Sequence, residues 1–535
     1  MNFIKTISRS MAPLALLIAV AFSSCEKDFG DINKSWDNKV YEASIPALYN
    51  SLAASLVEPG GTGNLLTGFV YQNTQLIAMY AASGYRLDNM SGAYWNNYYA
   101  ALANYRKLVE LIDANEEAAN MTNVKNMARV IIAYQTLRTT MMYGDMPYSA
   151  AAKAFISSDN FRPVYDAQSD IIKDALAELK TAIDEFSSNS SQVSIGASET
   201  IFGGDLAKWT KFANSIRLKY AMALHGKDAA TANGIIAETL SKPLLGPADV
   251  YGMFPGTITN LEFDRNGWYQ GNSYVRMGST MWDAMSSTTD EDGSGIFDLR
   301  CKLFFEPNAF GDWVPYPQAP SSTTPSEIGN SGVNDPYNRD RLTVHSPSDA
   351  EYIYSPLNVY YTAERTFPQV FMTGHEVSFI KAELYNRGIG GVAANAATAQ
   401  EHYESGITES VKLFYALAHG SSIWTVGRPN AAPSNIELST MMSNPHVEYS
   451  SNAGTALSQI YKQHWIALFH QPFEAWNLAR RTGYATPSVA LASTSPGLNF
   501  YRVTYPQSEI DGNYDNWRAV TGGSDAPTVK PWFMP

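Results

Sequence analysis

His375-Glu376 begins the ligand pattern of a helical metalloprotease site, but position 379 is Phe where a second His would have to share the helix face. No Gly-x-Ser-x-Gly elbow is present to hold a serine on a strained turn. No glycine-rich loop ending in Lys-Ser or Lys-Thr is present to cradle phosphate. His464 and His470 stand six residues apart, on different faces of any helix they share. The 51 acidic residues offer many carboxylate pairs, but glycoside hydrolysis depends on their separation in space, which spacing along the chain does not give. The residues point to a binding protein, not an enzyme; a surface glycoside hydrolase is the weaker alternative.

Two local patterns look like binding sites. In Asp290-Glu-Asp292-Gly-Ser294-Gly295, oxygen ligands alternate around a glycine, as in the first half of a calcium loop. Asp290, Asp292 and Ser294 are therefore candidate ligands of a structural Ca2+, although Cys301 occupies the position where such a loop needs a bidentate Glu. The second pattern is aromatic. A pyranose presents a face of C–H groups that stacks on an indole or phenol, and its rim of hydroxyls needs Asn, Gln, Asp or Arg. Both kinds of residue meet in Arg265-Asn-Gly-Trp268-Tyr269-Gln270-Gly-Asn272, then at Trp282, then in Gly311-Asp312-Trp313-Val-Pro-Tyr316. Trp268, Tyr269, Trp282, Trp313 and Tyr316 are the expected platform residues. Trp282 lies among Met277, Met281 and Met285, a spacing that predicts a short amphipathic helix and a core role. Arg86 and Asn89, in the turn Tyr85-Arg86-Leu-Asp88-Asn89, form a second candidate patch.

The elements that must position these residues are helical. Trp95, Tyr98, Leu102, Tyr105, Val109 and Ile112 repeat at three and four and fall on one stripe. Ile172, Leu176, Leu179, Ile183 and Phe186 do the same, with Asp166 as the expected N-cap. Trp209, Phe212, Ile216 and Tyr220 form a third stripe, and Gly226 is the expected left-handed C-cap. Further helical windows run from 43 to 57, 64 to 82, 120 to 143, 374 to 387, 396 to 418 and 455 to 482. The chain is expected to be helical over 40–241 and 369–483, loop-rich over the proline- and aromatic-rich insertion 242–368, and irregular over 484–535. No Gly/Ser or Pro-rich linker separates the periodic blocks, so 40–535 reads as a single globular domain.

Composition agrees with a large folded protein. Of 535 residues, 45% are hydrophobic and 17% charged, enough apolar surface to offset the ordering entropy of the chain. Two cysteines cannot staple a coreless fold of this length. With 38 basic against 51 acidic residues, nucleic acid is not an expected partner. At the N-terminus, Lys5 and Arg9 precede an apolar run from Met11 to Phe22, too short to span a bilayer, and Ser23-Ser24 stand before Cys25. This reads as a signal peptide over 1–24, with Cys25 acylated by fatty chains such as palmitate and 25–39 as a polar tether. Cleavage there takes the net charge from −13 to −15.

Four strings carry a family resemblance: Tyr143-Gly-Asp-Met-Pro-Tyr148, Gly204-Asp-Leu-Ala-Lys-Trp-Thr-Lys-Phe-Ala-Asn-Ser-Ile-Arg-Leu218, His375-Glu-Val-Ser-Phe-Ile-Lys-Ala-Glu383 and Tyr505-Pro-Gln-Ser-Glu509. In this order, and together with Cys25, they resemble the SusD/RagB-like outer-membrane nutrient-binding lipoproteins of Bacteroidetes. The resemblance implies a mainly α fold, with tetratricopeptide-like helix pairs as scaffold for the large loop-rich, aromatic-rich insertion. It also implies an outer-membrane lipoprotein facing the exterior, which binds glycan, or peptide in the RagB branch, and passes it to a SusC-like TonB-dependent barrel. The chain departs from the family at Asp298-Leu299-Arg300, where the family has Asp-Pro-Arg, and its helix pairs lack the Trp-Gly-Tyr pattern of regular repeats.

Overall fold

The computed structural model describes residues 44–59, 65, 70–79, 92–154, 157–189, 191–253, 275–288, 290–308, 311–318, 324, 354–362, 368–422, 424, 427–485 and 500–535. The predicted signal peptide, Cys25, the tether, Arg86, Asn89, Trp268 and Tyr269 lie outside them.

The three apolar stripes form helices. The first lies on α2 (Gly92–Asp113), after α1 (Ile45–Ser55). Trp95, Tyr98, Leu102 and Ile112 are buried, whereas Tyr105 and Val109 are only half-buried. Then follow α3 (Thr122–Tyr143), α4 (Gln168–Glu185), α5 (Leu206–His225) and α6 (Ala229–Leu240). Each of α3 to α6 packs on the helix before it. Tyr98 Oη lies 3.2 Å from Thr136 Oγ1, and Lys125 Nζ lies 2.6 Å from Asp113 Oδ1, which makes α2 and α3 antiparallel. Arg129 at the start of α3 reaches Glu178 and Glu185 near the end of α4, so that pair is antiparallel as well. The third stripe, Trp209, Phe212, Ile216 and Tyr220 of α5, is fully buried.

A second helical block follows the insertion, with α7 (Ser279–Met285) inside the insertion and α8 (Gly374–Arg387), α9 (Ala396–His419), α10 (Ala453–Ala467) and α11 (Pro472–Thr482) after it. Helices α8 and α9 close tightly because Gly406 stands against the Phe379 ring; a Cβ there would meet ring carbons at 2.9 Å. The expected helix over 455–482 is broken at 468–471, and Pro472 opens α11, where its missing N–H costs nothing. The segment expected to be irregular carries the helix Gln507–Gly512 and α12 (Tyr514–Thr521), which buries Trp517.

Two capping expectations are corrected. Gly226 has φ −65°, right-handed and not left-handed, so it ends α5 without needing glycine's freedom. Asp166 does not cap α4. Its carboxylate accepts from Tyr148 N, Ser149 N and Ser149 Oγ, while Gln168 N donates to Asp145 Oδ1 at 2.8 Å. A carboxylate distant in sequence thus satisfies the helix start that a local one was expected to serve.

Strands are few and paired in twos. β1 (Ala78–Met79) pairs with β5 (Val275–Arg276), β2 (Met146–Pro147) with β3 (Tyr165–Asp166), and β4 (Val250–Met253) with β6 (Gln369–Thr373), all antiparallel. The third pair joins the start of the insertion to the strand that leads into α8, and the first ties Val275–Arg276 inside the insertion to Ala78–Met79.

Candidate functional site

Three of the expected platform aromatics are core residues. Trp282, on α7, is 5% exposed and Trp313 is 7% exposed; their indoles stack at 6.3 Å with 14° between planes. The face of Trp313 that a sugar would need is covered by the Asp290–Ile296 turn. Gly293 sits there at φ +75°, and a Cβ on it would fall 2.6 Å from the indole nitrogen. Tyr316 is 4% exposed and meets the Tyr354 ring edge-on at 4.8 Å. These rings are drawn inward because each removes a large apolar area from water when packed.

The acidic turn has the same explanation. Asp290, Asp292 and Ser294 are exposed, and Asp292 Oδ1 accepts from Ser294 N at 2.8 Å, closing the turn on itself. Trp313 N donates to Glu291 O at 2.6 Å, pinning the turn over the indole. Among the described residues no group of three or more His, Cys, Asp or Glu is placed to hold a metal.

Two expected patches lie outside the described residues, but the points from which they leave the fold are described. Met79 pairs with Val275 in the β1–β5 ladder. The segment 80–91, which carries Arg86 and Asn89, follows Met79; the segment 254–274, which carries Trp268 and Tyr269, ends at Val275. Both segments therefore join the fold at paired residues at one end of one small sheet. Ala78, Tyr316 and Tyr354 form an apolar cluster against that sheet.

The strings that carry the family resemblance are joints between elements. Tyr505 Oη donates to Asp145 O at 2.6 Å and its ring stacks on Tyr143, so strings at opposite ends of the chain meet. Tyr165 Oη bonds Glu509 at 3.0 Å beside them. Asp205 caps α5, accepting from Ala207 N and Lys208 N, a function legible in the sequence from an Asp set just before an apolar periodic run. His375-Glu376 is interior: burial pushes His375 down to about 3, keeping it neutral, and Lys219 on α5 lies 3.3 Å from both Glu376 and Glu474. Burial raises the Glu376 carboxyl and Lys219 pulls it back only in part. Glu383 takes Arg481 bidentately at 2.8 Å and Arg387 at 2.6 Å. Burial alone would raise Glu383, but the two guanidiniums overcome it and hold the carboxyl at about 2. These charges lock α5, α8 and α11 together.

Asp298 and Arg300 form a fully buried bidentate pair, at 2.9 and 2.7 Å, with Ser410 of α9 and Gln463 of α10 completing the guanidinium's bonds. Leu299 N–H makes no hydrogen bond among the described residues, so the position also suits the proline that the family pattern carries.

A cavity of about 550 Å³ opens between α2, α3 and α4. Tyr105 and Val109, the two stripe residues left half-buried, line it together with Arg106, Arg129, Lys153 and Asp174. No periodicity signal marks this groove, because helical spacing identifies the buried face and does not show where two helices part.

Over residues 38–506 the chain matches the model of the SusD-like_2 family, described as starch-binding and associating with the outer membrane. The chain belongs to this family. Among solved structures, a SusD-like protein of Bacteroidetes superposes on the SusD-like chain with a TM-score of 0.70 at 20% identity, covering 92% of this chain and 100% of its own. A SusD homolog from Parabacteroides distasonis gives 0.68 at 19%, with 92% and 98% covered, and a chitin-binding protein gives 0.67 at 21%, with 92% and 100% covered. At these identities the likeness shows the fold, a tetratricopeptide-like helical scaffold. No curated protein matches the chain. Among the described residues no helix is long and apolar enough to cross a membrane.

Proposed function

We propose that this protein captures nutrient glycan at the outer surface of the outer membrane, held there through a lipid on Cys25, and passes it unchanged to a SusC-like TonB-dependent barrel. The observation that carries the reading is the β1–β5 pairing, Met79 with Val275. From that one sheet end leave the segment with Arg86 and Asn89 and the segment with Trp268 and Tyr269. Aromatic faces and hydrogen-bonding edges, the two things a sugar needs, thus share one origin on the fold. The stacked Trp282–Trp313 pair is packed inside the insertion and is not part of the proposed platform. The family description, starch-binding and associating with the outer membrane, agrees with it.

The test is retention of the full chain on native gels containing soluble starch or chitin oligosaccharide, against Trp268→Ala and Tyr269→Ala. Retention of the parent chain, lost in both variants while the melting temperature is unchanged, is the expected result. A variant pair retained as strongly as the parent overturns the aromatic platform. Retention by neither glycan, together with binding of a mixed peptide pool, moves the assignment to peptide.

A further inference from the structure

Where the two helical blocks meet, a small cavity of about 30 Å³ lies among charged side chains. Lys219 of α5, Glu376 of α8, His464 of α10 and Glu474 of α11 all line it. Lys219 Nζ stands 3.3 Å from Glu376 and 3.3 Å from Glu474, so one ammonium faces two carboxyl groups. The two are not equivalent. Both oxygens of Glu474 accept, from Tyr220 Oη at 3.1 Å and from Asn477 Nδ2 at 3.2 Å. Glu376 Oε2 is buried with no hydrogen-bond partner among the described residues, and neither His464 Nε2 nor, for all its nearness to both acids, Lys219 Nζ meets hydrogen-bond geometry with one. The other cations nearby are engaged elsewhere. Arg481, which also lines the cavity, is held by Glu383, and Arg138 pairs with Glu58 at 2.8 Å. Arg480 donates to the carbonyls of Met141 and Tyr501 and to Asn477 Oδ1. From α3, the Tyr134 ring faces Lys219 at 5.9 Å. Helix α9 packs on α8 but gives no residue to the cavity lining.

We propose that Glu376 is a proton-operated joint between the blocks. With a proton on Oε2 it is neutral, and Lys219 serves Glu474 alone. On losing that proton to water it leaves two carboxylates on one ammonium, and the hold of α5 on α8 and α11 loosens. A carboxylate oxygen kept from water without a donor is costly as an anion and far less so as a neutral acid. The cavity has room for a water molecule, and the three unpartnered atoms are the polar neighbours such a water needs. Burial pushes the Glu376 carboxyl up to about 7, with Lys219 opposing and Glu474 adding to the rise. Burial pushes His375 and His464 down to about 3, so both stay neutral near pH 7 and add no change of charge there. The sign follows from the direction. A carboxyl raised on folding contributes stability that is full below its unfolded value, near 4.5, and is lost as pH rises through about 7. Glu383, held low, acts in the opposite sense. No residue of the joint belongs to the segments assigned to nutrient capture, so the two readings fail separately.

The test is urea unfolding of the full chain from pH 5 to pH 8, with Glu376→Gln beside the parent. The parent's unfolding constant is expected to rise at least about tenfold more over this range than that of Glu376→Gln, which has no such proton to lose. The same pH dependence in both chains overturns the joint. Should Glu376→Gln misfold, hydrogen exchange of the parent, corrected for the intrinsic rate at each pH, reads the same element. Amides of α8 and α11 are expected to lose at least about tenfold more protection between pH 5 and pH 8 than those of α2. A loss in α8 and α11 no larger than that in α2 overturns the proposal.

Discussion

The α2 stripe and the insertion aromatics both carry tryptophan and tyrosine, and each departs in part from what its setting announces. On α2, where a helical stripe implies burial, Tyr105 and Val109 are left half-open to a groove. In the insertion, where glycine and proline suggest exposed loops, Trp282, Trp313 and Tyr316 are packed away. A stripe shows which face of a helix turns inward, but not whether a neighbouring helix closes over every turn of it. A loop aromatic has no period at all, so its burial depends on what folds across it. Here an acidic turn does so, with Gly293 against the indole of Trp313.

The sharpest way to break that contrast is to truncate one ring of each kind. Trp313→Ala should cost about 3–5 kcal/mol in urea unfolding, the usual penalty for emptying a packed aromatic site. Tyr105→Ala should cost about 1 kcal/mol or less, because its ring already borders open space. Equal losses would show that the groove closes in solution.

Acid should act on the joints between the helical blocks and not on the insertion's stacked rings. Glu383 is held at about 2, below its unfolded value, so its contribution is full above about pH 4.5 and is lost as pH falls toward 2. A depression of this size is worth about 3 kcal/mol. Melting measured between pH 5 and pH 2 should therefore fall less steeply for Glu383→Gln than for the parent. Parallel curves would remove Glu383 from the account.

The smallest expected effect separates a local cap from a distant one. Asp205→Ala should cost about 1 kcal/mol by exposing the start of α5. Asp145→Ala should cost a similar amount through α4, although it lies 23 residues before Gln168. Asp166, which sequence spacing offers as that cap, instead ties the Tyr148–Ser149 turn. Thermal melts of the Asp205→Ala and Asp145→Ala variants check this, and a null effect at Asp145 would return the capping function to local residues.

Much of the scaffold was legible from apolar spacing, as Trp209, Phe212, Ile216 and Tyr220 show, because a period of 3.6 is a property of the backbone that needs no partner. The break at Pro472 was missed, because a continuous periodic window over 455–482 concealed it. The candidate site was less legible. The Asp290 turn has the ligand alternation of a cation loop, and only its packing over Trp313 explains why its side chains point to solvent and bond one another.

What the sequence determined alone is therefore the helical character of both blocks, the aromatic richness of the insertion and the family to which the four strings point. Only the tertiary structure decided which rings are buried, that Met79 and Val275 bring two distant segments to one sheet end, and that the groove between α2, α3 and α4 leaves Tyr105 and Val109 half-open. The physical reason is range. Periodicity and capping act within a few residues, whereas burial, pairing of charges and the origin of a loop depend on contacts between residues that lie far apart along the chain.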